Sequence, residues 1–193
     1  MAHSPNQLSL ALVPRLLNQK FLSVTSEIVF LLLGVALVSA LSQLAIPLAW
    51  TPVPLTGQTF GVALLALMWG SRRAFAVMAS YLSAAALGAP ILAGGVSFLT
   101  LGATSGYLFG MAIAAYVVGS LADRGWTKSW PKAFAASLFG SVIVFSLGLF
   151  VLSFFVPSET LLVAGLLPFL PGDLLKNLMA SFIASRMSDL AGD

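Results

Sequence analysis

The sequence predicts an all-α integral membrane protein, a single bundle of six transmembrane helices with both termini cytoplasmic. Three observations lead there. Only 8% of the 193 residues are Asp, Glu, Lys or Arg, and 59% are hydrophobic; an ordinary soluble domain carries about 25% charged residues. Residues 28–71, 74–122 and 133–158 contain no charge at all, and each stretch exceeds the roughly 20 apolar residues that cross the hydrocarbon core. The remaining basic residues fall almost entirely in alternate links between the apolar runs.

Residues 1–23 precede the first span. Leu8, Leu10, Leu12, Leu16 and Leu17, with Arg15 and Lys20, read either as a short helix lying on the cytoplasmic surface or as a disordered tail. The first long apolar run begins too late and is too long for a secretory leader. Residues 24–190 form the membrane domain. Span one is expected at about 24–46, with Glu27 in its first turn, where an acid suits the helix dipole. Pro47, Pro52 and Pro54 break the run, and span two follows at about 55–70. A short Ser71-Arg72-Arg73 link turns the chain into span three, about 74–92. Gly94 and Gly95 open a loop before span four, about 104–122. Asp123–Lys132 is the one clearly polar loop. Span five, about 133–156, is stopped by Pro157. A break from Pro168 to Gly172 precedes span six, Asp173–Leu190, which at about 27 Å is long enough to cross.

The basic residues orient the bundle. Arg15 and Lys20 precede span one; Arg72 and Arg73 follow span two; Arg124, Lys128 and Lys132 follow span four; Arg186 ends span six. Links 47–56, 93–103 and 157–172 carry no Lys or Arg. By the positive-inside rule the basic side is cytoplasmic. The sequence pI of about 9.6 therefore reflects membrane orientation, and the bases do not cluster into a patch fit for nucleic acid. Cysteine is absent and the one histidine is His3, which excludes thiolate nucleophiles, disulfides and a zinc site built from Cys and His. No Gly-x-x-x-x-Gly-Lys-[Ser/Thr] phosphate loop, His-Glu-x-x-His or Gly-x-Ser-x-Gly is present, so known ATPase and hydrolase motifs are missing.

The uncharged links are unusual. They read Pro47-Leu-Ala-Trp-Thr-Pro-Val-Pro-Leu-Thr56-Gly-Gln-Thr-Phe60, Gly88-Ala-Pro-Ile-Leu-Ala-Gly-Gly-Val-Ser-Phe-Leu-Thr-Leu-Gly102 and Leu166-Leu-Pro-Phe-Leu-Pro-Gly-Asp173. Apolar, Gly- and Pro-rich backbone at membrane depth must be buried in protein or line a cavity. A semi-buried pocket at the outer face is expected, or else compact turns without a ligand. Asp173 and Lys176, three apart, share a helix face there. They read as a ligand site, because ionisable groups within spans are costly, or as an N-cap with its counter-ion. In span four Gly102, Gly106, Gly110 and Ala114 recur every four residues, a smooth ridge for close packing. Span one carries a second small pair, Ala36 and Ala40.

These links carry a family resemblance. Val53-Pro-Leu-Thr-Gly-Gln-Thr-Phe60, then Gly88-Ala-Pro-Ile-Leu-Ala-Gly-Gly95 with Ala103-Thr-Ser-Gly-Tyr-Leu-Phe-Gly110, then Leu167-Pro-Phe-Leu-Pro-Gly-Asp-Leu-Leu-Lys176 resemble, in order and spacing, the three motifs of the BioY family of biotin transporters. The resemblance covers about residues 24–187. One departure is Ala103-Thr104-Ser105-Gly106-Tyr107, where family members often have Pro-Thr-Gly-Gly-Tyr; the loop loses a stiffening proline.

The resemblance implies a multi-pass protein of the bacterial inner membrane, the substrate-binding S component of an energy-coupling factor (ECF) transporter. It implies biotin as substrate, and as partners a transmembrane coupling subunit and two cytoplasmic ATPase subunits. It implies that Ala36 and Ala40 dock the coupling subunit, and it implies no cofactor and no metal. Biotin's ureido group needs acceptors for two N–H groups and a donor to its carbonyl, so Asp173 is the natural acceptor. Thr56, Gln58, Thr104 and Tyr107 are candidate polar partners, and Gly95 of the second motif is a candidate substrate-binding residue. Lys176 is open to three roles: neutralising Asp173, donating to the ureido oxygen, or meeting the tail carboxylate. Phe60, Phe98, Tyr81 and Phe169 are candidates for the apolar wall. The alternatives are an S component for thiamin or niacin, an intramembrane enzyme using Asp173 and Lys176 as acid and base, and a membrane scaffold that binds nothing.

Overall fold

The structure is a computed structural model that describes residues 11, 24–97 and 102–190. The expected surface helix of residues 1–23, apart from Ala11, and the proposed wall residue Phe98 lie outside the described residues. Among the described residues seven α-helices run in the order α1 (Val24–Gln43), α2 (Gln58–Trp69), α3 (Ser71–Ala86), α4 (Ser105–Asp123), α5 (Trp130–Leu152), α6 (Leu161–Gly165) and α7 (Leu170–Leu190). Segments Thr25–Gln43, Ser105–Asp123, Trp130–Leu152 and Leu161–Leu190 are long and apolar enough to cross a membrane. The shorter apolar α2 and the 16-residue α3 pack among them.

Several boundaries differ from the sequence reading, each for a local reason. The chain reverses between α2 and α3 at Gly70 alone, with φ 80°, a left-handed conformation that only glycine adopts without strain. Ser71, Arg72 and Arg73 are already helical. Asp123 makes this possible: its Oδ2 accepts from Ser71 N at 3.0 Å and Ser71 Oγ at 2.6 Å, satisfying donors at the α3 N-terminus. A Cβ on Gly70 would collide with that carboxylate. α5 begins three residues earlier than expected, with Pro131 in its first turn, where a missing N–H costs nothing. α7 likewise starts at Leu170 and takes Pro171 into its first turn.

The link between α1 and α2 contains a two-residue antiparallel ladder, β1 (Ala45–Ile46) on β2 (Leu55–Thr56), pairing Ala45 with Thr56 and Ile46 with Leu55. The three prolines of this link restrict ladder pairing. α4 is the central helix, packed against α2, α3 and α5. Its small-residue ridge faces inward. Gly106 abuts Leu147 O and Val151 of α5, Gly110 abuts Val144, and Ala114 is buried. The backbones approach because no side chain separates them.

Each end of the bundle gathers its own chemistry. At one end are the Asp123–Ser71 cap, the Glu27–Arg73 ion pair and Thr127 Oγ1 donating to Leu67 O at 3.1 Å. The basic residues Arg72, Arg73, Arg124 and Lys128 belong to these same turns. The opposite end carries the Pro- and Gly-rich links and a cavity.

Candidate functional site

The cavity encloses about 350 Å³, the scale of a small-molecule site. Pro52, Val53, Pro54 and Leu55 of the first link line one side; Leu92, Ala93 and Val96 of the second line another. Thr104, Tyr107, Leu108 and Met111 come from α4 and its approach, and Val144 and Phe145 come from α5. Asp173 and Lys176 of α7 supply its charges. Helices α2, α4, α5 and α7 thus supply a rigid frame, and irregular backbone covers a cavity, the one setting where such backbone is tolerated at membrane depth.

Asp173 is 8% exposed. It is not an N-cap, because α7 begins three residues before it and its own N–H bonds Phe169 O at 2.8 Å. Its Oδ2 accepts from Asn177 Nδ2 at 2.9 Å. Lys176 Nζ donates to the backbone oxygen of Thr56 at 2.7 Å. Among the described residues the ion pair within 4 Å is Glu27–Arg73, so Lys176 bonds the first link and attracts Asp173 without touching it. An ammonium carries three donors, which leaves two for other acceptors.

Thr56 Oγ1 donates to Gln58 Oε1 at 3.1 Å, Gln58 Nε2 donates to Tyr81 Oη at 2.7 Å, and Tyr81 Oη donates to Ile91 O at 2.9 Å. Ser42 Oγ also donates to Ile91 O, at 2.6 Å, and Gln43 Nε2 to Leu92 O at 3.0 Å. A continuous set of hydrogen bonds, neutral beyond the lysine, therefore runs from Lys176 through Thr56, Gln58 and Tyr81 to the second link. Such bonds fix both links over the cavity, since each buried polar group left unpaired would cost about 1–3 kcal/mol.

Of the residues expected at the site, Thr56, Gln58, Thr104, Tyr107, Phe169, Asp173 and Lys176 line the cavity. Tyr107 does so with its ring, because its hydroxyl donates to Gly165 O at 2.7 Å. The ring stands between Phe145 and Phe169, with centroids 6.5 and 6.4 Å away, so these three form the aromatic wall. Tyr81 does not line the cavity; it is fully buried behind Gln58 and positions that side chain. Gly95 is exposed with φ 72° and serves the turn at Ala93–Gly95, while Ala93 and the half-exposed Val96 line the cavity. Phe60 is likewise outside the lining. Ala36 and Ala40 are exposed on one stripe of α1 and do not line the cavity. The sequence reading missed Thr59, which lies in the first motif, and Met111, Val144 and Phe145, which lie outside the motifs. Among the described residues no three of His, Cys, Asp or Glu gather into a metal-sized cluster.

The fold and site define a helical membrane protein with a small-molecule cavity at one end of the bundle. The family model for the BioY family matches residues 12–193, and the chain belongs to that family. A biotin transporter BioY of Thermotoga maritima is 36% identical over 159 residues, covering 80% of this chain and 91% of the relative. A probable biotin transporter BioY of Pyrococcus horikoshii is 33% identical, covering 83% and 95%. A crystal structure of the S-component for biotin from an ECF-type ABC transporter superposes with a TM-score of 0.77 at 27% identity, covering 88% of this chain and 92% of that one.

Proposed function

We propose that this chain is a biotin-binding S component, a transporter subunit and not an enzyme, that takes up biotin with an ECF-type module. The observation that carries it is the buried Asp173 carboxylate set in an aromatic-walled cavity within a BioY-family frame. Asp173 accepts a ureido N–H. The wall of Phe145, Tyr107 and Phe169 takes the fused rings. The two remaining donors of Lys176 reach the ureido oxygen or the tail carboxylate. The partners are a transmembrane coupling subunit and two cytoplasmic ATPase subunits, in a bacterial inner membrane; Ala36 and Ala40 dock the coupling subunit.

The chain makes six passes with both ends cytoplasmic. Helices α2 and α3, of 12 and 16 residues, reach only about 18 and 24 Å. The Pro- and Gly-rich links at their outer ends make up the remaining depth. The clustering of Arg72, Arg73, Arg124 and Lys128 in turns at one end supports this orientation. Stoichiometric binding of labelled biotin by the purified protein, without product formation, tests the substrate; binding of thiamin or niacin instead would move it. Cysteines placed singly at Ser97 and Lys128 in this cysteine-free chain should label from opposite faces of the membrane, and labelling of both from outside would sink the topology.

A further inference from the structure

One buried polar residue beneath the cavity has no part in the binding described so far. Asn177 is 3% exposed and lies one turn beyond Asp173 on α7. It does not line the large cavity. Its Nδ2 donates to Asp173 Oδ2 at 2.9 Å and to Ser141 Oγ of α5 at 2.8 Å. An amide nitrogen has two protons, and both are spent here. An amide placed this deep is costly unless satisfied, and in an apolar bundle a leucine would fill the space without that cost.

The neighbouring lysine does not do this work. Lys176 is bonded to Thr56 O, so the carboxylate is held from below, by the Asn177 amide and by the Ser141 hydroxyl beside it. A carboxylate presents two oxygens. Holding Oδ2 from the protein side restrains the plane of a group that lines the cavity. Ser141, anchored on a different helix, keeps the amide from rotating away.

We propose that Asn177, braced by Ser141, is a positioning residue that aims Asp173 Oδ1 at the ureido N–H of the ligand, and so sets the site's demand for a hydrogen-bond donor there. The proposal rests on the biotin reading of the same cavity. A double-mutant cycle tests it, with labelled-biotin affinity measured for wild type, Asn177→Leu, Asp173→Asn and the double variant, each shown to be monodisperse. Asn177→Leu alone should weaken binding about tenfold, the effect of one hydrogen bond to a charged group. In the Asp173→Asn background the same change should cost little, because the group it positions is gone. A merely structural asparagine would give the same fold-change in both backgrounds, and that result overturns the proposal. Should Asn177→Leu fail to fold, the cycle is run with the smaller Asn177→Ala, which should weaken binding about tenfold with the same non-additivity. Wild-type protein that binds no biotin would overturn the biotin reading and this proposal together; binding with an additive cycle overturns this proposal alone.

Discussion

The two ends of the bundle each hold a carboxylate in hydrogen bonds, and they use it differently. At the basic end Asp123 is spent on the protein itself: Oδ2 takes both the N–H and the hydroxyl of Ser71 and holds the tight turn at Gly70. Glu27 is likewise consumed by Arg73, whose Nε donates to it at 2.9 Å. At the cavity end Asp173 is held by a neutral amide, and the adjacent Lys176 bonds a backbone oxygen. The first arrangement closes a turn. The second keeps a carboxylate and an ammonium close together without a direct contact at a cavity wall, which is what a site for a polar ligand requires. The cost of such groups in a membrane bundle is tolerable because each is hydrogen-bonded to something.

The same substitution at the two ends gives the largest contrast. Asp173→Asn replaces a charged acceptor by a neutral amide, and biotin affinity should fall about 10- to 100-fold with thermal stability nearly unchanged. Isotherms on detergent-purified protein check this; wild-type affinity would place Asp173 with Asp123 as a structural group. Next in size is the effect of bulk on the exposed stripe of α1. Ala36→Trp or Ala40→Trp should strongly reduce uptake in cells carrying the full transporter while leaving biotin binding intact, because a close-packed helix face does not accept bulk. Normal uptake by both variants would put the docking face elsewhere.

Asp123→Asn should show the reverse of Asp173→Asn. It weakens the cap on α3 by about 1 kcal/mol, lowering the unfolding temperature in detergent without changing affinity. An affinity loss here would mean that the two ends are coupled. The smallest effect is expected for Tyr81→Phe. It removes the hydroxyl between Gln58 and Ile91 O, so the second link loses one of its anchors while Ser42 and Gln43 remain. Affinity should fall about threefold, on the order of one neutral hydrogen bond. A loss as large as that of Asp173→Asn would return Tyr81 to the ligand-contacting group.

Much of the membrane architecture was legible from charge alone, since hydrocarbon excludes charges and their positions mark the ends of apolar runs. The long helices α1, α4, α5 and α7 lie within a few residues of the expected spans. Boundaries moved where a side chain from elsewhere intervened, as Asp123 does at Gly70, 53 positions away by residue number. Asp173 and Lys176 stood out because ionisable groups are rare in such a chain. Met111, Val144 and Phe145 did not, because a helix in this bundle is apolar toward lipid, toward its neighbours and toward the cavity alike. Periodicity separates water from core, and here it has nothing to separate.

By itself, then, the sequence determined the apolar spans, the asymmetry of their basic links, the Pro- and Gly-rich backbone opposite them, and the carboxylate and amine near the start of the last helix. The tertiary structure decided what those groups do. It joined Lys176 to Thr56, 120 positions away, moved Tyr81 from the cavity wall to a place behind Gln58, and set Asn177 under Asp173. The reason is physical: hydropathy is a property each residue carries alone, whereas a hydrogen bond depends on where two groups come to rest after the helices have packed.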